Sequence, residues 1–123
     1  MERYTVLVAE DDESNFLYML VLLRKHYDVI RAKNGVEAVE LTRKHHPRFV
    51  FMDIKMPEMN GIEAMMAIRE FAPDMPIIMQ SSYAFDADIQ AAMGKGATAY
   101  LTKPIQRSTL FQLLSELGLY TEV

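Results

Sequence analysis

The sequence predicts an α/β fold, a single parallel β-sheet with helices on both of its faces. Two observations carry this. Five short segments are nearly continuous apolar runs, and strands covered on both faces read that way, whereas a strand with one wet face alternates. Between and after them lie five stretches with helical spacing, and strict strand–helix alternation marks parallel strands joined by crossover helices.

Tyr4–Ala9 is β-branched and apolar without helical period, and it stops abruptly at Glu10-Asp11-Asp12-Glu13. From Ser14 to Lys25, Phe16, Leu17, Met19, Leu20, Leu22 and Leu23 recur at helical spacing, with Arg24, Lys25 and His26 at the negative end of the helix dipole. Asp28–Ala32 reads as the second strand, and Asn34-Gly35 turns into a helix through Val36, Ala38, Val39 and Leu41 that stops before Pro47. Phe49–Met52 is the third strand and closes on Asp53. A loop from Met56-Pro57 to Asn60-Gly61 then leads into a helix over Ile62–Phe71. Pro76–Gln80 is the fourth strand and ends at Ser81-Ser82, before an Ala-rich helix from about Asp86 to Met93 that Gly94 and Gly96 end. Ala99–Thr102 is the fifth strand, ending at Lys103-Pro104, and Ser108–Leu117 is a last amphipathic helix stopped by Gly118.

The chain of 123 residues fits one domain, read as 1–123 without an internal boundary or repeat, and with no output domain beside it. Half of its residues are hydrophobic and its net charge is −4, so a globular core is expected and a basic field for nucleic acid is not. No apolar run approaches the ~20 residues of a membrane span, and Met1-Glu2-Arg3-Tyr4 lacks a signal-peptide stretch, which predicts a cytoplasmic protein without membrane insertion. Cysteine is absent, which removes disulfides and thiolate metal sites.

A parallel sheet brings the residues after its strands to one edge, where α/β folds bind ligands. Here these are Glu10, Asp11 and Asp12, then Asp53, Ser81 and Lys103. Carboxylates gathered in a partly desolvated crevice repel one another, and a cation relieves the cost. Oxygen donors without Cys or clustered His point to Mg²⁺ rather than zinc. A carboxylate-held Mg²⁺ beside an ammonium and a hydroxyl suits phosphoryl transfer, in which a carboxylate can itself be the nucleophile. Asp53, alone after a central strand, is the candidate nucleophile, and the Glu10-Asp11 pair is better placed to hold metal.

Four motifs in order, Val8-Ala9-Glu10-Asp11-Asp12, Met52-Asp53-Ile54-Lys55-Met56-Pro57-Glu58-Met59-Asn60-Gly61, Pro76-Ile77-Ile78-Met79-Gln80-Ser81-Ser82 and Tyr100-Leu101-Thr102-Lys103-Pro104, resemble the receiver domain of two-component response regulators over essentially the whole chain. The resemblance implies a flavodoxin-like doubly wound sheet in the order 2-1-3-4-5. It implies that Asp53 is the phosphoacceptor, that Asp11 binds Mg²⁺ directly, that Glu10 is the second acid acting through water, and that the Lys55 carbonyl is a further metal ligand. Ser81 and Lys103 would contact the phosphoryl oxygens, Ser81 and Tyr100 would switch, and Lys103-Pro104 would be cis. Lys55 and Tyr83 occupy variable positions where they would tune dephosphorylation.

The implied donors are a sensor histidine kinase or a histidine phosphotransfer protein. The implied output is a face formed by the fourth helix, fifth strand and last helix, with Ala87, Ile89, Gln90, Lys95, Gln106 and Phe111 as contributors and a homodimer as one use of it. Such a domain promotes its own phosphorylation and dephosphorylation without being a conventional enzyme. The wording Ala-Glu-Asp-Asp, Met-Asp-Ile-Lys-Met-Pro and Thr-Lys-Pro-Ile is similar to receivers attached to hybrid sensor histidine kinases, which would make the chain a free regulator or one module of a larger protein.

Other readings fit less well. A dehalogenase-like Mg²⁺ phosphatase wants an acid two residues after the nucleophile, where Lys55 stands, and a flavin or nucleotide carrier wants amides in a first loop that here holds four acids. A phosphorylation-independent interaction module with a vestigial acidic pocket is the alternative. The acids after the first strand could also simply cap the helix that follows. Met52, Met56, Met59, Met65, Met66 and Met79 read as adaptable core filling, and His45-His46 as an exposed helix end.

Overall fold

A computed structural model of the chain describes residues 3–82 and 86–121. Its elements run β1 (Tyr4–Ala9), α1 (Glu13–Leu23), β2 (Tyr27–Ala32), α2 (Gly35–His45), β3 (Val50–Asp53), α3 (Gly61–Phe71), β4 (Ile77–Ser81), α4 (Asp86–Gly94), β5 (Ala99–Thr102) and α5 (Arg107–Glu116). All strand pairs are parallel, as the apolar runs predict, and the order is β2-β1-β3-β4-β5, the doubly wound sheet that the family resemblance implies.

Successive residues of each strand face opposite layers. Val6, Val8, Phe51 and Ile78 pack with Met19, Leu22 and Leu23 of α1 and Leu110 and Leu114 of α5. Leu7, Val50, Met52, Ile77 and Met79 pack with Ala64, Met65 and Ile68 of α3, Ala38 of α2 and Ala92 of α4. The methionines divide accordingly: Met52, Met65 and Met79 are buried core, whereas Met66 is exposed.

Side chains that reach across the fold close its lower edge, where the strands begin. Arg3 donates to the carbonyls of Arg24, Lys25 and Tyr27. Arg24, Lys25 and His26 were expected in the last turn of α1, but the helix ends at Leu23, and Arg3 takes the carbonyls that follow it. The Tyr27 hydroxyl donates to the Leu119 carbonyl at 2.8 Å, so the chain's first and last described segments meet at this same edge. Arg69 of α3 donates to the carbonyls of Ala72, Met75 and Gly96, tying α3 to the starts of β4 and β5. Among the described residues, no helix is long and apolar enough to cross a membrane.

Candidate functional site

The upper edge of the sheet assembles the acids. Glu10 and Asp53 lie two residues beyond Val8 and Phe51 on the same layer, so both carboxylates turn toward the α1–α5 side and are buried. Asp11 is exposed at the mouth. One carboxylate oxygen from each of Glu10, Asp11 and Asp53 lies within 4.8 Å of the others, a spacing at which a single hard cation can bind all three.

Asp12 has a separate task. Its side chain accepts from the Asn15 N–H at 2.8 Å and caps α1, so the run of acids splits between a helix cap and the pocket.

Lys103 comes in from the end of β5. Its Nζ donates to Glu10 Oε1 at 2.6 Å and to Asp53 Oδ2 at 2.9 Å, bridging two buried carboxylates from strands 93 and 50 residues away. Glu10 Oε2 also accepts from the Asp12 N–H, and Asp53 Oδ1 from the Lys55 N–H at 3.4 Å. Burial pushes Glu10 up to about 7; the bond from Lys103 opposes this and the neighbouring Asp53 adds to it. Burial alone would lower Lys103, but its bonds to Glu10 and Asp53 overcome that and raise it. The charge balance is what a cation site needs, because one ammonium faces three carboxylates and the surplus is negative.

The loop after β3 is shaped around Asp53. Gly61 opens α3 so close to it that a Cβ there would stand 2.1 Å from the Asp53 carbonyl oxygen, and its N–H donates to the Ile54 carbonyl at 2.8 Å. Gly35 of α2 meets the Met59 carbonyl just as closely. Asn60 and Glu63 form a reciprocal capping box at the start of α3, and Glu58 takes a left-handed backbone at φ 68°.

Of the other residues singled out, Ser81 is buried at the end of β4, paired in register with Thr102 of β5, and its carbonyl accepts from the Lys103 N–H. Tyr100 is half-buried on the α2–α3 side of β5. Lys55 is exposed beside Asp11, Met56 and Asn60 around an open cavity of about 600 Å³. The Lys103–Pro104 peptide is cis. Tyr83 lies outside the described residues.

Two residues near the site were not read from the sequence. Arg31, at the end of β2, donates to the carbonyls of Glu10 and Asp11 at 3.2 Å and pairs with Glu13 at 3.0 Å, so one guanidinium braces the acidic loop from behind. A charge inside an apolar strand was the available signal. Gln80, between Asp53 and Leu101 in register, is fully buried.

The response regulator receiver domain family model matches residues 6–115. A curated relative, chemotaxis protein CheY of Halobacterium salinarum, is 36% identical over 112 residues, spanning 90% of this chain and 93% of that one. The receiver domain of Pseudomonas aeruginosa sensor histidine kinase PA1611, solved with magnesium coordinated in its active-site cleft, superposes with a TM-score of 0.86 at 27% identity, covering 94% of this chain and 97% of that one. The Saccharomyces cerevisiae receiver domain of Ssk1, co-crystallised with the histidine phosphotransfer protein Ypd1, belongs to a structure matched with a TM-score of 0.86 at 30% identity, covering 94% and 89%.

Proposed function

The chain belongs to the response regulator receiver domain family of two-component signalling, and on that premise we propose that it accepts a phosphoryl group from a phosphohistidine onto Asp53. The observation that carries this reading is the bridge of Lys103 between Glu10 and Asp53 beside Asp11, a buried nucleophile held next to a cation and a surplus of carboxylates.

In this reading an Asp53 oxygen attacks phosphorus in line with the phosphohistidine P–N bond. The P–O bond forms as the P–N bond breaks, the imidazole leaves with the bonding pair, and an acyl phosphate remains on Asp53. Glu10, Asp11, Asp53 and the Lys55 carbonyl are the set that would hold Mg²⁺. The oxygen-only donor set and its negative surplus fit that ion. When bound, Mg²⁺ supplies neutralisation of the charge on the phosphoryl oxygens. Lys103 keeps its ammonium beside Asp53 and turns it to the arriving oxygens, and the Ser81 hydroxyl donates to another of them. The acidic loop stays in place because Arg31 holds its carbonyls.

The phosphodonor approaches over α1, the helix that the acidic loop leads into, where Leu17, Tyr18 and Val21 are exposed. The new dianion then biases Ser81 and Tyr100, and through them the face of α4, β5 and α5, for a partner or a second copy. Lys55 and Tyr83 govern the approach of the water that ends the signal.

Incubation with acetyl phosphate and Mg²⁺ followed by intact mass is expected to show one phosphoryl adduct on the wild type. Asp53→Asn and added chelator should each abolish it. An undiminished adduct in Asp53→Asn would move the acceptor elsewhere, and none in the wild type would favour an interaction module with a vestigial pocket.

A further inference from the structure

We propose that Arg31 determines which cation the carboxylates select. It holds the backbone under Asp11 in place, and so favours a small ion of strict geometry, Mg²⁺, over a larger and more tolerant one, Ca²⁺. The inference deepens the metal reading given above and rests on it.

Asp11 is exposed, so packing does not aim its carboxylate; the backbone beneath it does. That backbone lies between two peptide units, one carrying the Glu10 carbonyl and the other carrying the Asp11 carbonyl. Arg31 takes both with one side of its guanidinium, Nε donating to Glu10 and Nη2 to Asp11, each at 3.2 Å. The second unit is held at its other end too, where the Asp12 N–H donates to Glu10 Oε2 at 3.2 Å. Peptide units are planar, so fixing two in succession fixes both torsions of the residue between them.

Arg31 is itself fixed. It pairs in register with Val8 of β1, its third nitrogen, Nη1, bonds Glu13 at 3.0 Å, and the guanidinium lies 4.8 Å over the ring of Phe16. Its side chain is 15% exposed. The planar fork that grips two carbonyls at once is one that lysine cannot reproduce. Charge alone argues against an arginine here, because a cation beside a cation site weakens binding by repulsion. What Arg31 contributes toward a metal is geometry.

Geometry separates the two ions. Mg²⁺ demands a near-ideal octahedron at about 2.0 to 2.1 Å, whereas Ca²⁺ accepts six to eight oxygens at about 2.3 to 2.6 Å in flexible arrangements. A carboxylate on a pinned backbone meets the stricter demand; on a loosened one it serves Ca²⁺ nearly as well and Mg²⁺ poorly. The ions carry the same charge, so repulsion from Arg31 cancels in the ratio of their affinities and the positioning does not.

Mg²⁺ and Ca²⁺ chlorides are titrated separately into the whole chain as wild type, Arg31→Lys and Arg31→Gln, followed by calorimetry and by the backbone amide shifts of residues 10–13. Arg31→Lys should raise the Mg²⁺ Kd about tenfold, as loss of a group behind a metal ligand does, and leave the Ca²⁺ Kd within about twofold. Arg31→Gln should shift the ratio the same way although it removes a repelling charge, and Arg31→Lys, which keeps stem and charge, carries the test if the glutamine variant does not fold. In the metal-free protein, hydrogen exchange at the Asp12 amide should quicken in both variants. The proposal is overturned if both Kd values change by the same factor, or if Arg31→Gln tightens Mg²⁺, the mark of charge alone. A wild type that binds neither ion overturns the metal reading and the proposal with it, whereas a wild type that binds Mg²⁺ and variants that keep its ion ratio overturn only the role of Arg31.

Discussion

Glu10 shows how one side chain can serve a site at a cost to the fold. Its carboxyl is 1% exposed, and burial lifts it from an ordinary carboxylate value to about 7. A folded-state value above the unfolded one means that the native protein binds this proton more tightly. The stabilisation is therefore full below the unfolded value of 4.5 and is lost as pH rises through about 7. Glu10→Gln, which stays neutral, should gain on the wild type by on the order of 1 to 3 kcal/mol between pH 5.5 and pH 8.5 in Mg²⁺-free buffer. Urea midpoints at the two pH values measure this, and a constant difference would contradict it. The sequence made Glu10, Asp53 and Lys103 legible as candidates because parallel strands bring their ends together. It could not show that Lys103 would span both carboxylates, which depends on where β5 ends relative to β1 and β3. Arg31 and Gln80 escaped for a related reason: a polar residue inside an apolar run discloses its burial, not its partner.

The elements themselves were largely legible, since each follows from local patterning. Displacements occur at the ends, where a cap or a reaching side chain decides: Asp12 starts α1 a residue early, and its last turn stops at Leu23 rather than at Lys25. Arg43 of α2 stacks 4.1 Å over the ring of Phe71 of α3, a contact that only the packed pair of helices creates. Glycines make the same point in a testable way. At Gly61 a methyl would collide with the Asp53 carbonyl, a backbone atom that cannot yield, whereas at Gly94, the last residue of α4, it would meet nothing within 4 Å. Gly61→Ala is expected to lower stability by about 2 to 3 kcal/mol, and Gly94→Ala to leave it unchanged or raise it by up to about 1 kcal/mol. Denaturant midpoints compare the two, and equal effects would refute the close approach of α3 to β3.

For the molecule as a whole, the acidic edge links metal binding to folding. A ligand that binds only the native state adds RT ln(1 + [L]/Kd), about 2.7 kcal/mol at a hundredfold Kd. Mg²⁺ should therefore raise the unfolding midpoint of the wild type, and Asp11→Asn, which removes an exposed ligand without opening the core, should lose most of that rise. Thermal melts across a Mg²⁺ series test it, with an unresponsive wild type as the contrary result. The opposite end of the sheet has a practical meaning. Arg3 and Leu119 are both fixed where the strands begin, while the carboxylates lie where β1 and β3 finish, roughly 17 Å away along a strand of six residues. A dye, a bead or a fused fluorescent reporter joined before Arg3 or after Leu119 therefore departs from the far side. Either position is a handle by which the protein can be immobilised with its reactive edge still facing the solution.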